Sequence, residues 1–398
     1  MLFTIIIPTR NRASTAIECI HSALSINAED IEVLVHDCSE NEDLVELTNK
    51  INDARLRHVR VKPCSMTENW NQAAALARGD YVMFLGDDDG LHLNTIDVVR
   101  WAKLSGIEAI VHAHVAYYWW PGFPDMRVAS RLRMRGYTGK SSFYNAKVEF
   151  EKSTYVATIS NFCYLPNIYQ AIIRRDFLET LRITCGRYFF TTIVDAYAAF
   201  ALSAYVRRVC FIDYPLTISG MSPGSNSARI SKQVRNIDQH FLEYEALPEK
   251  NFISPPATGI TILQMAEALY QAIVNTNRKQ YLRNINIPRL YAIALVSRQS
   301  FREHLDIVRY YLHIAKHGAI VSLFTLFCYF AFEIVHRTHY HVSRFIKRRS
   351  ETASEAVFGD IPGIQSAMEV MQDEIRRRGI TIQLPDAYGN NPLSDNKK

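Results

Sequence analysis

The sequence predicts an α/β fold, a mostly parallel sheet with helices on both faces, followed by a helical C-terminal region. Three observations carry this. In the first hundred residues, apolar runs of strand length alternate with stretches of helical spacing, the pattern of successive βαβ units. Polar residues cluster directly after several of those runs, where open α/β sheets gather their ligands. From about residue 232 the signals become almost wholly helical.

Residues 2–7 are a β-branched run ended by Pro8, and residues 14–24 have helical spacing with Ser14 as the expected cap. A second strand is expected over 31–35, a helix over 43–51, a short strand over 58–61, an alanine-rich helix over 67–77 and a fourth strand over 81–85. Beyond Trp101 the pattern is mixed. It predicts one strand over 109–118, a Pro/Gly turn over 119–124, a basic loop over 127–135, a strand over 168–173, a helix over 194–205 and a strand over 209–212. Three units follow: residues 1–231 as the α/β catalytic domain, 232–350 as a helical domain, and 351–398 as a polar, partly disordered tail with one short helix over 365–378.

At 398 residues the chain is long enough for two or three domains and a large core. With 48% hydrophobic and 21% charged residues it is neither disordered nor a polytopic membrane protein. The 45 Lys+Arg against 40 Asp+Glu leave +5, too little to argue nucleic-acid binding. Seven scattered cysteines without a C-x-x-C pair read as reduced cytosolic thiols. The apolar N-terminus has no basic n-region and reads as a strand, not a signal peptide.

Three strand ends carry the chemistry. Strand one ends in Pro8-Thr9-Arg10-Asn11-Arg12, strand two in His36-Asp37-Cys38-Ser39, and strand four in Gly86-Asp87-Asp88-Asp89-Gly90. Three adjacent carboxylates after a buried strand raise one another's pKa unless a cation relieves them, and a hard divalent ion, Mg2+ or Mn2+, takes oxygen ligands of this kind. An exposed acidic turn is the competing reading, weakened by the flanking glycines and the strand-end position.

The run from Thr4 to Arg12, the Asp37-Cys38-Ser39 step and the run from Asn69 to Asp89 together resemble the family-2 glycosyltransferases of GT-A fold, whose nucleotide-binding sheet is Rossmann-like. The resemblance is strong over residues 3–100, moderate to about 231 and absent beyond. It implies that Pro8, Thr9 and Arg10 line a nucleotide pocket, that Asp37 contacts the base, and that Arg78 or Asp80 faces the nucleotide. It also implies that Asp87 and Asp88 lie near ribose and donor sugar, with Asp89, alongside Asp87, as ligand of the diphosphate-bound metal. Gly86 departs from the family, which more often carries an acidic residue or asparagine there, and leaves the roles of the three carboxylates open. Asp195 matches the family's catalytic base, although an acidic residue in a first helical turn is equally explained by the helix dipole. The hydroxyl-rich loop 213–227 is a candidate cover for the diphosphate. His112 with His114, and His240, read better as structural histidines than as metal ligands; the Tyr117-Tyr118-Trp119-Trp120 run reads slightly better as sheet filling than as a sugar platform.

Residues 318–332 carry no charge and Glu333 interrupts the run, which as a helix to residue 335 would cover roughly 22–27 Å, short of a ~30 Å bilayer core. Residues 336–349 then hold five cations and no acid. The expectation is an anionic membrane surface bound through residues 318–349, against a buried helix with a solvated basic extension. The function expected is an inverting, metal-dependent transferase, cytoplasmic and peripheral at the inner face of the plasma membrane. It would move a sugar from a nucleotide-diphospho-sugar donor to a glycan or lipid-linked acceptor of a surface polysaccharide. The rivals are a nucleotidyltransferase, which predicts a glycine-rich loop after strand one that Pro8–Arg12 lacks, and an inactive nucleotide-sugar-binding scaffold.

Overall fold

The structure, a computed structural model, describes residues 1–156, 159–225, 252–254, 261–296, 301–315, 317–351 and 355–385. His240, Pro255-Pro256, the 231/232 boundary and the tail end past residue 385 lie outside them, as do the side chains of 339–351.

Four parallel strands form the part of the sheet nearest the site: β1 (Phe3–Thr9), β2 (Ile31–Asp37), β3 (Leu56–Arg60) and β4 (Tyr81–Phe84), in the order β3-β2-β1-β4. Between them run α1 (Ala13–Leu24), α2 (Asp43–Thr48) and α3 (Met66–Leu76). β1 is buried along nearly its whole length, which is why it reads as a continuous apolar run rather than an alternating one. Its side chains still alternate between faces: Ile6 joins Val82 and Phe84 in one core, Ile5 and Ile7 join Met83 and Leu85 in the other. Ser65 caps α3 by accepting from the amide of Glu68 at 3.1 Å. α1 starts one residue before the expected cap, with Arg12 at its N-cap and no side-chain bond there, so Ser14 is inside the helix.

The next strands are short: β5 (Gly90–Leu91), then after α4 (Thr95–Leu104) come β6 (Ala109–His112), β7 (Ala116–Trp119), β8 (Arg131–Met134) and β9 (Ser141–Tyr144). The single strand expected over 109–118 is therefore two, broken at 113–115, because β6 belongs to the eight-stranded sheet and β7 to a second, five-stranded one. The basic loop over 127–135 contains β8, whose alternating Leu132 and Met134 are buried while its arginines point outward. α5 (Ala146–Val156), β10 (Ile172–Arg174), α6 (Arg175–Cys185), α7 (Val194–Leu202), β11 (Val209–Ile212) and β12 (Thr217–Met221) complete this region. The strand expected over 168–173 is confined to β10, and the helix over 194–205 ends at Leu202.

The helical region is α8 (Thr261–Asn275), α9 (Ile287–Val296), α10 (Phe301–Ile314) and α11 (Ala319–Glu351). α8 packs on α7, which is buried at every residue but Asp195, so this region shares one core with the sheet face that carries α3.

The polar tail folds back. β13 (Ala356–Phe358) adds an antiparallel strand to β8, and α12 (Ile364–Arg378) lies on α1, β5 and β12. Ile361, Ile364, Ala367, Met368, Met371 and Ile375 enter the second core. Their spacing, 364, 367, 368, 371 and 375, is an amphipathic stripe that the polar average of the segment hides.

Candidate active site

A cavity of about 550 Å³ opens at the carboxyl ends of β1, β2 and β4, lined among others by Pro8, Thr9, Arg10, Arg12, Asp87, Asp88 and Asp195. The loops after β1 and β2 are clasped together. Asn11, in the left-handed conformation at φ 56°, donates its amide to Ser39 Oγ at 2.7 Å, and its side chain and that of Arg10 both hold Glu40.

The three adjacent aspartates have three different environments. Asp87 accepts from Thr9 Oγ1 at 2.7 Å and from Arg12 Nη1 at 2.8 Å. Arg12 also donates through Nη2 to the carbonyl of Gly224 at 2.7 Å, tying the loop after β12 to the acidic turn. Asp88 faces the cavity, its Oδ2 accepting from the amide of Ser222 at 2.9 Å; burial and the neighbouring Asp87 charge push its carboxyl up, with Arg12 opposing. Trp120 fixes the backbone here by donating to the Asp88 carbonyl at 2.9 Å.

Asp89 points the other way. It is fully buried and accepts from the Gly86 amide, Tyr169 Oη, Gln170 Nε2 and the Gly220 amide at 2.7–2.9 Å. Burial and Asp88 push its carboxyl up to about 7 although those donors favour the charged form. Asp89, expected from the resemblance as the direct metal ligand, has its oxygens taken up by donors inside the protein, and Asp87 and Asp88 are the pair that lines the cavity. Gly86 explains the turn. A Cβ at residue 86 would stand 2.7 Å from Asp89 Oδ2 and 2.8 Å from Tyr169 Oη, so glycine makes the room into which Asp89 folds back.

Asp195 opens on the same cavity from the first turn of α7, and burial raises its carboxyl above the ordinary range. Other expectations separate from the site. Asp37 is fully buried and absent from the lining; although burial acts to raise it, hydrogen bonds from His58 and Ser39 hold its carboxyl below the usual value at the end of β2. Arg78 and Asp80 lie at the amino end of β4, the opposite edge of the sheet: Arg78 is 65% exposed near Glu32, and Asp80 pairs with Lys103 at 2.6 Å. They carry the same strand-flanking polarity as the acidic turn, and only the strand direction separates the two ends.

His112 is buried with Nε2 3.0 Å from the Gln170 carbonyl, and none of residues 117–120 lines the cavity. Tyr169, Trp70 and Cys64, which carry no role in the sequence pattern, line it together with Cys38. Trp70 is stacked on Phe84 at 4.3 Å. Loop 213–227 reaches the site through Gly220, Ser222 and Gly224; residues 226 and 227 lie outside the described residues.

The donor set suits a hard divalent cation. Asp87 and Asp88 offer only oxygen, and Asp88, raised by burial and then by the Asp87 charge, is the one of the two without an arginine hydrogen-bonded to it. Among the described residues no group of three His, Cys, Asp or Glu side chains is placed to hold a metal ion.

The site is thus a cavity at the carboxyl edge of a parallel sheet, with an acidic turn on one side and the Asp195 carboxylate on another, and the N-terminal part of the chain is similar to known proteins. Residues 4–100 match the family model described as glycosyl transferase family 2. Over 89 residues the chain is 34% identical to UDP-Glc:alpha-D-GlcNAc-diphosphoundecaprenol beta-1,3-glucosyltransferase WfaP of Escherichia coli, covering 22% of this chain and 36% of that one. Over 103 residues it is 33% identical to WcaA of Escherichia coli strain K12, a glycosyl transferase named for colanic acid biosynthesis, covering 24% and 36%. The chain thus spans little more than a third of the length of these relatives. Among solved structures, S. aureus TarS 1-349 in complex with UDP-GlcNAc aligns with a TM-score of 0.42 at 15% identity, covering 79% of this chain and 71% of that one.

Proposed function

We propose that the protein is an inverting glycosyltransferase that takes a sugar from a nucleoside-diphosphate donor and delivers it to a lipid-linked glycan at a membrane surface. The observation that carries this is one cavity lined by Asp87 and Asp88 from the β4 turn and by Asp195 from α7, with Arg10 and Arg12 beside them. Asp195, with its raised carboxyl, would take the proton of the acceptor hydroxyl as that oxygen attacks the anomeric carbon from the face opposite the departing nucleoside diphosphate. Arg10 and Arg12 would hold the phosphates through charge-assisted hydrogen bonds. Asp87 and Asp88 would hold Mg2+ or Mn2+, which when bound supplies positive charge to the leaving diphosphate.

The lipid-linked acceptor and the surface-polysaccharide setting are supported by the names of WfaP and WcaA, and the peripheral location by α11. Ala319–Thr338 is long and apolar enough to cross a membrane, yet one face is held to the protein: Arg289 Nε bonds Glu333 at 2.6 Å and Arg337 donates to the carbonyls of Ile293 and Val296. Ile320, Leu323, Phe324, Phe327, Ile334 and Val335 lie exposed at helical spacing on the other. A helix docked on one side and apolar on the other suits lying in a bilayer interface.

A panel of nucleotide-sugars tests the reading, with donor hydrolysis and thermal stabilisation measured in Mg2+, Mn2+ and chelator. At least one donor is expected to respond with metal and to stop responding in Asp88→Ala; silence across the panel overturns it.

A further inference from the structure

We propose that Cys38 and Cys64 form a dithiol modification site in the wall of the cavity, which a peroxide converts to a disulfide that weakens nucleoside-diphosphate binding. The effect on the nucleotide rests on the donor reading above; the thiol chemistry does not.

Chain and fold bring the two sulfurs together from different elements. Cys38 follows Asp37 at the carboxyl end of β2, its amide donating to the Thr9 carbonyl at 3.1 Å and its Sγ 3.6 Å from the same oxygen. Cys64 stands between β3 and α3, immediately before the capping Ser65. Cys38 Sγ is 3.9 Å from the Cys64 carbonyl oxygen, which sets the two cysteines side by side across the two loops. Both side chains line the cavity beside Pro8, Thr9 and Arg10.

The surroundings favour one thiolate. The Cys64 thiol stabilises the Cys38 sulfur and Arg10 adds positive charge, lowering Cys38 despite burial and the nearby Asp37, while Cys64 is correspondingly raised. α3 also begins at Met66, so its positive end faces this segment. A lowered thiol beside a second cysteine, in a cavity wall that also carries Arg10, is the arrangement of a redox-responsive pair.

The chemistry balances with hydrogen peroxide as oxidant. The Cys38 thiolate attacks one peroxide oxygen, the O–O bond breaks, and the leaving hydroxide takes up the proton that Cys38 had lost, giving a sulfenic acid and water. The Cys64 sulfur then displaces the sulfenic hydroxyl, which leaves as a second water with the Cys64 proton. Two thiols are oxidised and one peroxide is reduced. An S–S bond is about 2.05 Å long, so closure draws the segment entering α3 against the end of β2 and shifts the wall shared with Pro8, Thr9 and Asn69. In a reducing compartment such a bond is transient, which suits a signal rather than a staple.

The test treats the full chain with hydrogen peroxide, maps crosslinked peptides by mass spectrometry, and measures UDP and GDP binding by calorimetry before oxidation, after it, and after dithiothreitol. The expected result is a Cys38–Cys64 peptide two hydrogens lighter than the reduced pair and at least about tenfold weaker nucleotide binding, both reversed by dithiothreitol. Cys64→Ser should block the link and leave a sulfenic acid at Cys38 that dimedone traps; Cys38→Ser should abolish both. Absence of the linked peptide, or its formation with unchanged nucleotide affinity, overturns the proposal. If the reduced chain binds neither UDP nor GDP, that result counts against nucleotide control, and the mass readout still decides whether the dithiol closes.

Discussion

Gly220 donates its amide to Asp89 at 2.7 Å, and a Cβ on Gly220 would stand 1.7 Å from the carbonyl oxygen of Asp88. The second sheet thus reaches the acidic turn by direct backbone approach that only glycine permits. Gly220→Ala is expected to push β12 off the turn, lowering thermal stability and abolishing donor-induced stabilisation together, as a thermal-shift comparison with and without nucleotide would read. Unchanged stabilisation would show that the contact is dispensable.

Asp88 and Asp89 should separate by phenotype. Asp88→Asn removes a cavity-facing charge and is expected to leave the melting temperature near that of the parent while metal-dependent donor binding disappears. Asp89→Asn leaves at least one of its buried donors mismatched and should destabilise the fold by about 1–3 kcal/mol in denaturant titration. The reverse pattern would return the ligand role to Asp89.

The pH profile should report Asp195. Its carboxyl is raised by burial and must be ionised to act as base, so kcat/KM is full above the raised value and falls as pH drops through it. The acidic limb is therefore expected above the ordinary carboxylate range. Asp195→Asn should remove that limb with a loss of about 10²–10⁴ in rate, while donor binding by calorimetry stays the same. A parent-like profile in the variant would assign the proton to another group.

The C-terminal segment should be indispensable to the catalytic domain. Met368 lies against Gly90, directly beyond the aspartates, where a Cβ would meet its sulfur at 2.6 Å. Met368→Ala is expected to cost about 2–5 kcal/mol in unfolding experiments, and a chain ending at residue 354 should lose soluble expression. Wild-type stability in both would make α12 an ornament of the surface.

Membrane association should depend on the free face of α11. Phe324 and Phe327 are 68% and 66% exposed, so Phe324→Asp with Phe327→Asp should leave the melting temperature unchanged while reducing co-sedimentation with phosphatidylglycerol vesicles. Equal sedimentation would move the contact elsewhere.

The sequence alone determined the parallel strands, their intervening helices and the carboxyl edge at which Pro8–Arg12 and the aspartates meet, because hydrophobic period and strand-end polarity are local signals. The helix near 365–378 was equally legible, but not its docking, since the segment's polar average concealed its stripe. Only the tertiary structure decided which aspartate faces the cavity. Three consecutive carboxylates look alike in one dimension, and their roles depend on donors from residues 169, 170 and 220, far along the chain. It likewise set Arg78 and Asp80 at the opposite sheet edge and broke the strand at 113–115, because strand direction and sheet membership are fixed by pairing between distant segments. The meeting of Cys38 with Cys64 has the same origin: β2 and the entry to α3 become neighbours only once the sheet is assembled.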